Sequence, residues 1–425
     1  MISTNYMALG SQKKIAKMPA YTGSGNTHSP SAQTDNTKSQ SSFVFSLDMT
    51  KKAVQYSILN IGSRGTEVKK LQETLTKLGY DTKGTDGVFG ANTKNAVMAF
   101  QKAQGILADG IAGMVTQVAL SKALNYHKKG ILTEGSRGTA VKELQQSLTK
   151  LGYDTNGIDG IFGAATKRAI VSFQRTYGLI ANGIVDGITK NAITEALKNY
   201  EENLKYLASV RKMLDNIRND TTLGLSAEKK TALVKAAERL LEDRFDPKFV
   251  AGVLGNILSE GTVGIFESSN YKDPNRRPAY LVYMDTHFDY RNSFSGKSIR
   301  EVGIQAALEL QQKVKESGYK GKFGLGMVQW TAERTEQLLR AYQRYASGDK
   351  PTKEECIEAE VNFMADELKG VYARVYTNWK KGAQTAASAG EIVCRQYEKP
   401  SDMSNQAKIR AQNANKIYLV MIGMA

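Results

Sequence analysis

The apolar positions of residues 59–124 fall at helical intervals in three short stretches. Val68, Leu71, Leu75 and Leu78 are spaced three, four and three apart, which places them on one helix face. Thr66, directly after a glycine, stands where an N-cap would, and Gly79 with the Asp86-Gly87 pair ends that helix and turns the chain. A second helix is predicted to start near Ala91 and bury Val97 and Phe100, and a third to run through Val115, Leu120 and Leu124. The whole pattern then repeats without a gap. Gly62-Ser63-Arg64-Gly65-Thr66 returns 73 residues later as Gly135-Ser136-Arg137-Gly138-Thr139, and residues 75–82 return unchanged as 148–155. Two copies of one small three-helix module are therefore expected within 57–126 and 130–198. A core this thin suits a binding domain better than a catalytic one.

The flanks read differently. Residues 22–46 are rich in Ser, Thr, Asn and Gln with almost no apolar content, so 1–56 is expected to be a disordered tether. Beyond the second module, residues 200–218 form an amphipathic helix, and 199–225 read as a helical linker. Residues 226–425 then form a separate, mainly helical (α+β) domain, so the fold class is mostly α. Its first helix buries Leu233, Ala237, Leu240 and Leu241, and Asp246-Pro247 opens the next one in the preferred order of cap and proline.

Composition narrows the chemistry. Three histidines (His28, His127, His287) and two cysteines (Cys356, Cys394) are scattered without ligand spacing, which argues against a zinc peptidase or deaminase; no metal or cofactor is implied. The two cysteines either pair outside a cell or stay as buried thiols. A net charge of +16 favours a polyanionic partner: nucleic acid, an anionic membrane surface or a bacterial wall. No nucleic-acid-binding motif accompanies the charge. Nor does any stretch approach the roughly 20 apolar residues that span a bilayer, so no membrane insertion is expected. Residues 1–20 carry scattered lysines but no apolar run behind them, unlike a usual secretory leader. A target outside the cytoplasm would then be reached by non-standard export or after lysis.

The segment Phe249 to Gly261 holds the first candidate for chemistry. Phe249, Val250, Val253, Leu254, Ile257 and Leu258 make an apolar face, and Glu260 projects from that same face near the helix end. Burial there raises a carboxyl pKa, as a general acid requires. An ordinary carboxylate fraying into solvent is the competing reading. Further on, Asp285 and Asp289 flank His287 in a segment rich in Tyr280, Tyr283, Phe288 and Tyr290. Polar groups among aromatics suit a sugar groove, though the same rings could simply pack.

Three ordered motifs add a family resemblance to these readings. In both modules the pattern D-G-x-F-G-x-x-T-x-x-A-[VI]-x-x-F-Q closely resembles the peptidoglycan-binding module of bacterial and phage wall hydrolases. Asp86 to Gln101 carry it in the first copy and Asp159 to Gln174 in the second. Most of those residues are scaffold; Tyr80, Asp86, Tyr153 and Asp159 are the candidates for wall contact. Gly255-Asn256-Ile257-Leu258-Ser259-Glu260 resembles the catalytic-helix motif of phage tail-type lysozymes in the lysozyme-like superfamily. Gly324 to Thr331 with Arg334 resembles that family's second signature. Ile357, Val361, Met364 and Leu368, and then Tyr397-Glu398-Lys399-Pro400 with Arg410 and Ala414, resemble its later segments.

The resemblance implies an endolysin-like muramidase that cuts the β-1,4 bond between N-acetylmuramic acid and N-acetylglucosamine in bacterial peptidoglycan. Glu260 would be the acid, and Glu267, only seven residues on, is the alternative acid or the second carboxylate. The family's usual serine after the catalytic glutamate is absent here. Asp273, Asp285 and Asp289 remain further partner candidates, while Gln329, Trp330 and Tyr283 would line the groove. Met327 and Val328 would face the core. The same single glutamate would also serve a lytic transglycosylase, and a degenerate domain would leave only a wall anchor. Host and oligomeric state stay open.

Overall fold

The computed structural model describes residues 57–259, 262–268, 279–319, 323–331, 333–398, 400 and 402–425, so the expected tether 1–56 lies outside the described residues. The chain divides into two units, Met1–Asn203 and Leu204–Ala425. Both are helical, and the β component among the described residues amounts to isolated bridges.

In the first unit, α1 (Thr66–Lys77), α2 (Ala91–Ala103) and α3 (Met114–Lys128) form one module. Helices α4 (Thr139–Lys150), α5 (Ala164–Thr176) and the first part of α6 (Gly187–Asn219) form its repeat. Each has its own apolar core, around Val68, Leu75, Val97 and Phe100 in one and Val141, Leu148, Ile170 and Phe173 in the other. Two details differ from the sequence expectation. Gly65, at φ 110, is the N-cap of α1 and Thr66 is its first residue; the entry turn needs a left-handed glycine rather than a side-chain cap. Val115 is exposed, because α3 turns Thr116 and Leu120 inward instead.

A buried glutamine organises each turn. Gln72 Nε2 donates to Asp86 Oδ1 (3.0 Å), Val88 O (3.1 Å) and Thr93 Oγ1 (3.0 Å), while Gly87 N donates to Gln72 Oε1 (2.9 Å). Gln101 makes the same set with Asp109, Ile111, Thr116 and Gly110. In the second module, Gln145 and Gln174 repeat both sets, with Asn182 standing in for an aspartate. Each module is thus an internal pair of glutamine-centred turns. The amide supplies both donors and an acceptor, which no apolar residue of that size can do.

Helix α6 covers residues 199–219 of the stretch 199–225 read as a linker. Its later residues Val210, Leu214 and Ile217 are buried in the second unit's core, Tyr206 Oη donates to Leu241 O (2.7 Å) and Asn216 Nδ2 to Met421 O (2.8 Å). Residues from about Leu204 onward therefore belong to the C-terminal unit's packing.

That unit continues with α7 (Ala227–Glu242), α8 (Pro247–Ser259), α9 (Ala279–Phe288), α10 (Tyr290–Ser293) and α11 (Ile299–Val302). It is completed by α12 (Ile304–Glu316), α13 (Glu333–Tyr345), α14 (Lys353–Lys369), α15 (Ala373–Lys380), α16 (Ala386–Val393), a π-helical turn Cys394–Glu398 and α17 (Met403–Ile422). Helix α8 is its axis. Phe249 to Ile257 are buried on every side, against α7, α16 and α17. Such close approach depends on glycine: a Cβ at Gly252 would lie 2.4 Å from Ala389 Cβ, and one at Gly255 would lie 2.6 Å from Ala414 N. Cys356 and Cys394 are free and buried, and burial pushes both thiols up to about 12. Among the described residues no helix is long and apolar enough to cross a membrane.

The hubs make a direct prediction. Gln145→Leu strands the Gly160 N–H and the Thr166 hydroxyl, so the second module is expected to lose about 1–3 kcal/mol. Urea unfolding followed by circular dichroism should show an earlier transition; unchanged unfolding would remove the hub's structural role.

Candidate active site

The second signature folds as a tight hairpin. Leu325 N donates to Trp330 O (3.0 Å), Trp330 N to Leu325 O (2.9 Å) and Gln329 N to Gly326 O (3.1 Å). Gly326 (φ 84) and Gln329 (φ 50) take the left-handed conformations that close it. The hairpin pairs with the segment 262–268 through the Phe266–Leu325 bridge, and Glu267 N donates to Gly324 O (2.8 Å). This pairing places Glu267 beside the hairpin mouth.

The Glu267 carboxylate is half-buried. Oε1 accepts from Tyr280 Oη (2.7 Å) on α9 and Oε2 from Gly324 N (3.0 Å), while Tyr290 Oη donates to the Glu267 carbonyl (2.8 Å). Burial pushes its pKa above the usual glutamate value, against the pull of those two donors. Glu260 lies outside the described residues, directly after the last residue of α8, and so does Asp273. The structure therefore gives no separation between Glu260 and Glu267.

Two further glutamates, neither singled out from the sequence, hold the hairpin from behind. Both sit on α14, seven residues apart. Glu360 is fully buried and accepts from Gly264 N, Met327 N (2.6 Å) and Tyr342 Oη. Glu367 accepts from Trp330 Nε1 (2.9 Å), Tyr397 Oη, and Arg334 through Nε and Nη2 (both 2.8 Å). One carboxylate thus ties 262–268 to the hairpin, and the other ties the hairpin's end to α13 and the π-helical turn. Both fall in the stretch that resembles the family's E-x-x-F-x-x-x-E-L segment, but that pattern does not name the donors they meet, and the seven-residue spacing also fits a solvated helix face. A third buried carboxylate, Glu398, lies 3.5 Å from Arg410 Nε, and burial pushes it up to about 8.

The other candidates fall in separate places. Trp330 is fully buried with its indole N–H on Glu367, so it packs the core and lines no groove. Gln329 is half-buried and folds back to donate to Gly326 O (2.9 Å), bracing the hairpin. Met327 and Val328 are buried, as expected. Asp285 lies 3.5 Å from Arg291 Nε, and Asp289 accepts from Asn292 Nδ2 (2.7 Å) and Ser293 Oγ (2.8 Å). Both line an open cleft of about 800 Å³ together with His287, Lys297, Glu309 and Lys313; Glu267 is not part of that lining. Tyr283 stacks between His287 and Tyr319, with ring centres 3.7 Å away on each side.

In the modules, Tyr80 is only 3% exposed and donates to Gly135 O (2.7 Å), which takes it out of wall contact. Asp86 and Asp159 are exposed, yet each spends Oδ1 on its hub glutamine and on the next turn's backbone. Those hydrogen bonds, the glutamine's first, hold both carboxyls below the usual range. Tyr153 is half-buried, edge-on to Phe173 at 5.5 Å.

Residues 231–421 match the family model "Phage tail lysozyme". Residues 64–120 and 137–193 each match "Putative peptidoglycan binding domain". The chain thus carries a phage-tail-lysozyme domain behind two peptidoglycan-binding domains. Its similar proteins include a "Probable N-acetylmuramoyl-L-alanine amidase" of Bacillus licheniformis, 39% identical over 33% of this chain and 46% of the relative. A "Zinc D-Ala-D-Ala carboxypeptidase" of Streptomyces albus G is 47% identical over 16% of this chain and 28% of its own length. A "Spore cortex-lytic enzyme" of Bacillus cereus is 33% identical over 21% and 34%. The chain spans less than half the length of each of these relatives.

Glu360 makes the site's behaviour with pH predictable. Burial raises its carboxyl from 4.5 to about 7, so the folded protein holds this proton more tightly than the unfolded chain. Stability from this group is complete below the ordinary glutamate range and is lost as pH rises through about 7. The thermal midpoint is expected to fall over that window, and Glu360→Gln should flatten part of the slope. Glu398 titrates in the same direction and keeps the remainder. An identical slope in Glu360→Gln would show that Glu360 does not titrate there.

Proposed function

We propose that this chain is a peptidoglycan hydrolase of the muramidase kind. Its C-terminal unit would cut the β-1,4 bond between N-acetylmuramic acid and N-acetylglucosamine while the two modules hold it on the wall. The observation that carries this reading is Glu267, a half-buried carboxyl with a raised pKa, set beside the signature hairpin inside the stretch that matches the lysozyme family. Glu260, which follows α8 directly in the sequence, is the proposed general acid and protonates the departing glycosidic oxygen. Glu267 supplies the second carboxylate, which stabilises the oxocarbenium-like state or orients the attacking water. The amidase and carboxypeptidase names belong to relatives matched over a third of this chain or less, so they do not set the bond that is cut.

Digestion of purified walls with the full chain, followed by mass spectrometry, tests the reaction. Reducing N-acetylmuramic acid ends are expected. Anhydro-muramic ends would make it a lytic transglycosylase, and stem peptides freed from intact glycan would make it an amidase. Glu260→Gln keeps the side-chain shape without the proton, so turnover should fall about 10²–10⁴-fold with an unchanged thermal midpoint. Near-normal activity in Glu260→Gln with a dead Glu267→Gln would move the acid to Glu267.

A further inference from the structure

The joint between the two modules leaves one unmatched half at each end of the pair. On the first module the joint is a socket made by Gly79, Tyr80 and Gln104. Into it fits a loop of the second module, Glu134-Gly135-Ser136-Arg137. Tyr80 Oη donates to Gly135 O (2.7 Å), Gln104 Nε2 donates to Glu134 O (3.2 Å), and the Arg137 guanidinium lies 4.7 Å from the Tyr80 ring centre. Packing is tight: a Cβ on Gly79 would lie 2.7 Å from Arg137 Cβ, and one on Gly135 would lie 2.3 Å from Gln104 Nε2.

The repeat duplicates both halves. Gly62-Ser63-Arg64 is a second copy of the loop, and Gly152-Tyr153 a second copy of the socket. Among the described residues nothing fills them: none has an atom within 4 Å of a Cβ placed on Gly62 or Gly152, Arg64 is exposed and Tyr153 is only half-buried. The flanking positions also change together. Where the occupied joint sets the Gln104 amide on the Glu134 backbone carbonyl, the open socket has Tyr177, stacked on Phe173 at 4.3 Å, and the open loop has Ile61, 60% exposed. The open joint thus carries apolar surface on both sides, Ile61 on the loop and the Tyr177 ring on the socket.

We propose that the Gly62-Ser63-Arg64 loop of one chain docks on the Gly152-Tyr153 socket of a second copy, with Ile61 against Tyr177. The contact is head-to-tail, so each added chain presents a fresh loop and socket, and the row stays open-ended. A contact this small is weak between free chains and takes effect where many chains are held on one surface. It does not depend on which wall bond the second unit cuts.

The full chain carrying both Arg64→Cys and Gly152→Cys tests the geometry, since Cys356 and Cys394 are buried. Mild oxidation on purified walls should give a ladder of trimers and longer species, while either single variant stops at a dimer. Because cysteine at Gly152 (φ +86) strains the turn, sedimentation of the unmodified chain gives a second reading. Its mean mass should climb past the dimer with concentration, and Arg64→Glu should need at least about ten times more protein for the same rise. A chain that stays monomeric and gives no ladder overturns the proposal. So does a closed dimer, and so does an Arg64→Glu variant that loses wall binding with its mass behaviour unchanged.

Discussion

Two buried carboxylates on one helix face govern the geometry of the candidate site. A buried carboxyl is tolerable only when its oxygens find hydrogen-bond partners. Glu360 and Glu367 find theirs almost entirely in segments far away in sequence: Gly264, Met327, Trp330, Arg334 and Tyr397. Apart from Arg334, in the first turn of α13, none of these residues stands in a long helix or a sheet that would fix its shape. Their conformation follows from what the two glutamates demand. Glu267 inherits its position from that demand, since its backbone pairs with the hairpin that Glu360 anchors.

The second constraint is steric. Helix α8 has no solvent face, and its glycines let α16 and α17 approach to near backbone contact. Asn256 reinforces this by donating to Gly252 O (2.7 Å) and Gly390 O (3.0 Å), so the asparagine next to the signature glycine joins two helices. Replacing such a glycine by alanine is an overpacking problem, for which typical costs are about 1–3 kcal/mol.

Much of this was legible from periodicity. The stripe of Leu233, Ala237, Leu240 and Leu241 and the repeat of Val68, Leu71 and Leu75 mark helices because local spacing alone decides them. What escaped depends on partners distant in sequence. Tyr80 looked like a surface ring until its hydroxyl was seen to reach Gly135 in the next module. Trp330, in a motif that suggested a groove, is drawn inward by an acceptor 37 residues away. Glu360 and Glu367 are indistinguishable from solvated helix charges without the donors that meet them. Thr66 was misplaced by one residue because a glycine at positive φ outcompeted a hydroxyl cap.

The two thiols carry a consequence of a different kind. Cys356 and Cys394 are sealed in the core and hold their protons to about 12. The thiolate is the nucleophile that attacks disulfides and oxidants, and near neutral pH almost none of it exists here. This fold therefore neither gains a crosslink in oxidising surroundings nor loses one in reducing surroundings. Its shape is indifferent to the redox state on either side of a cell envelope.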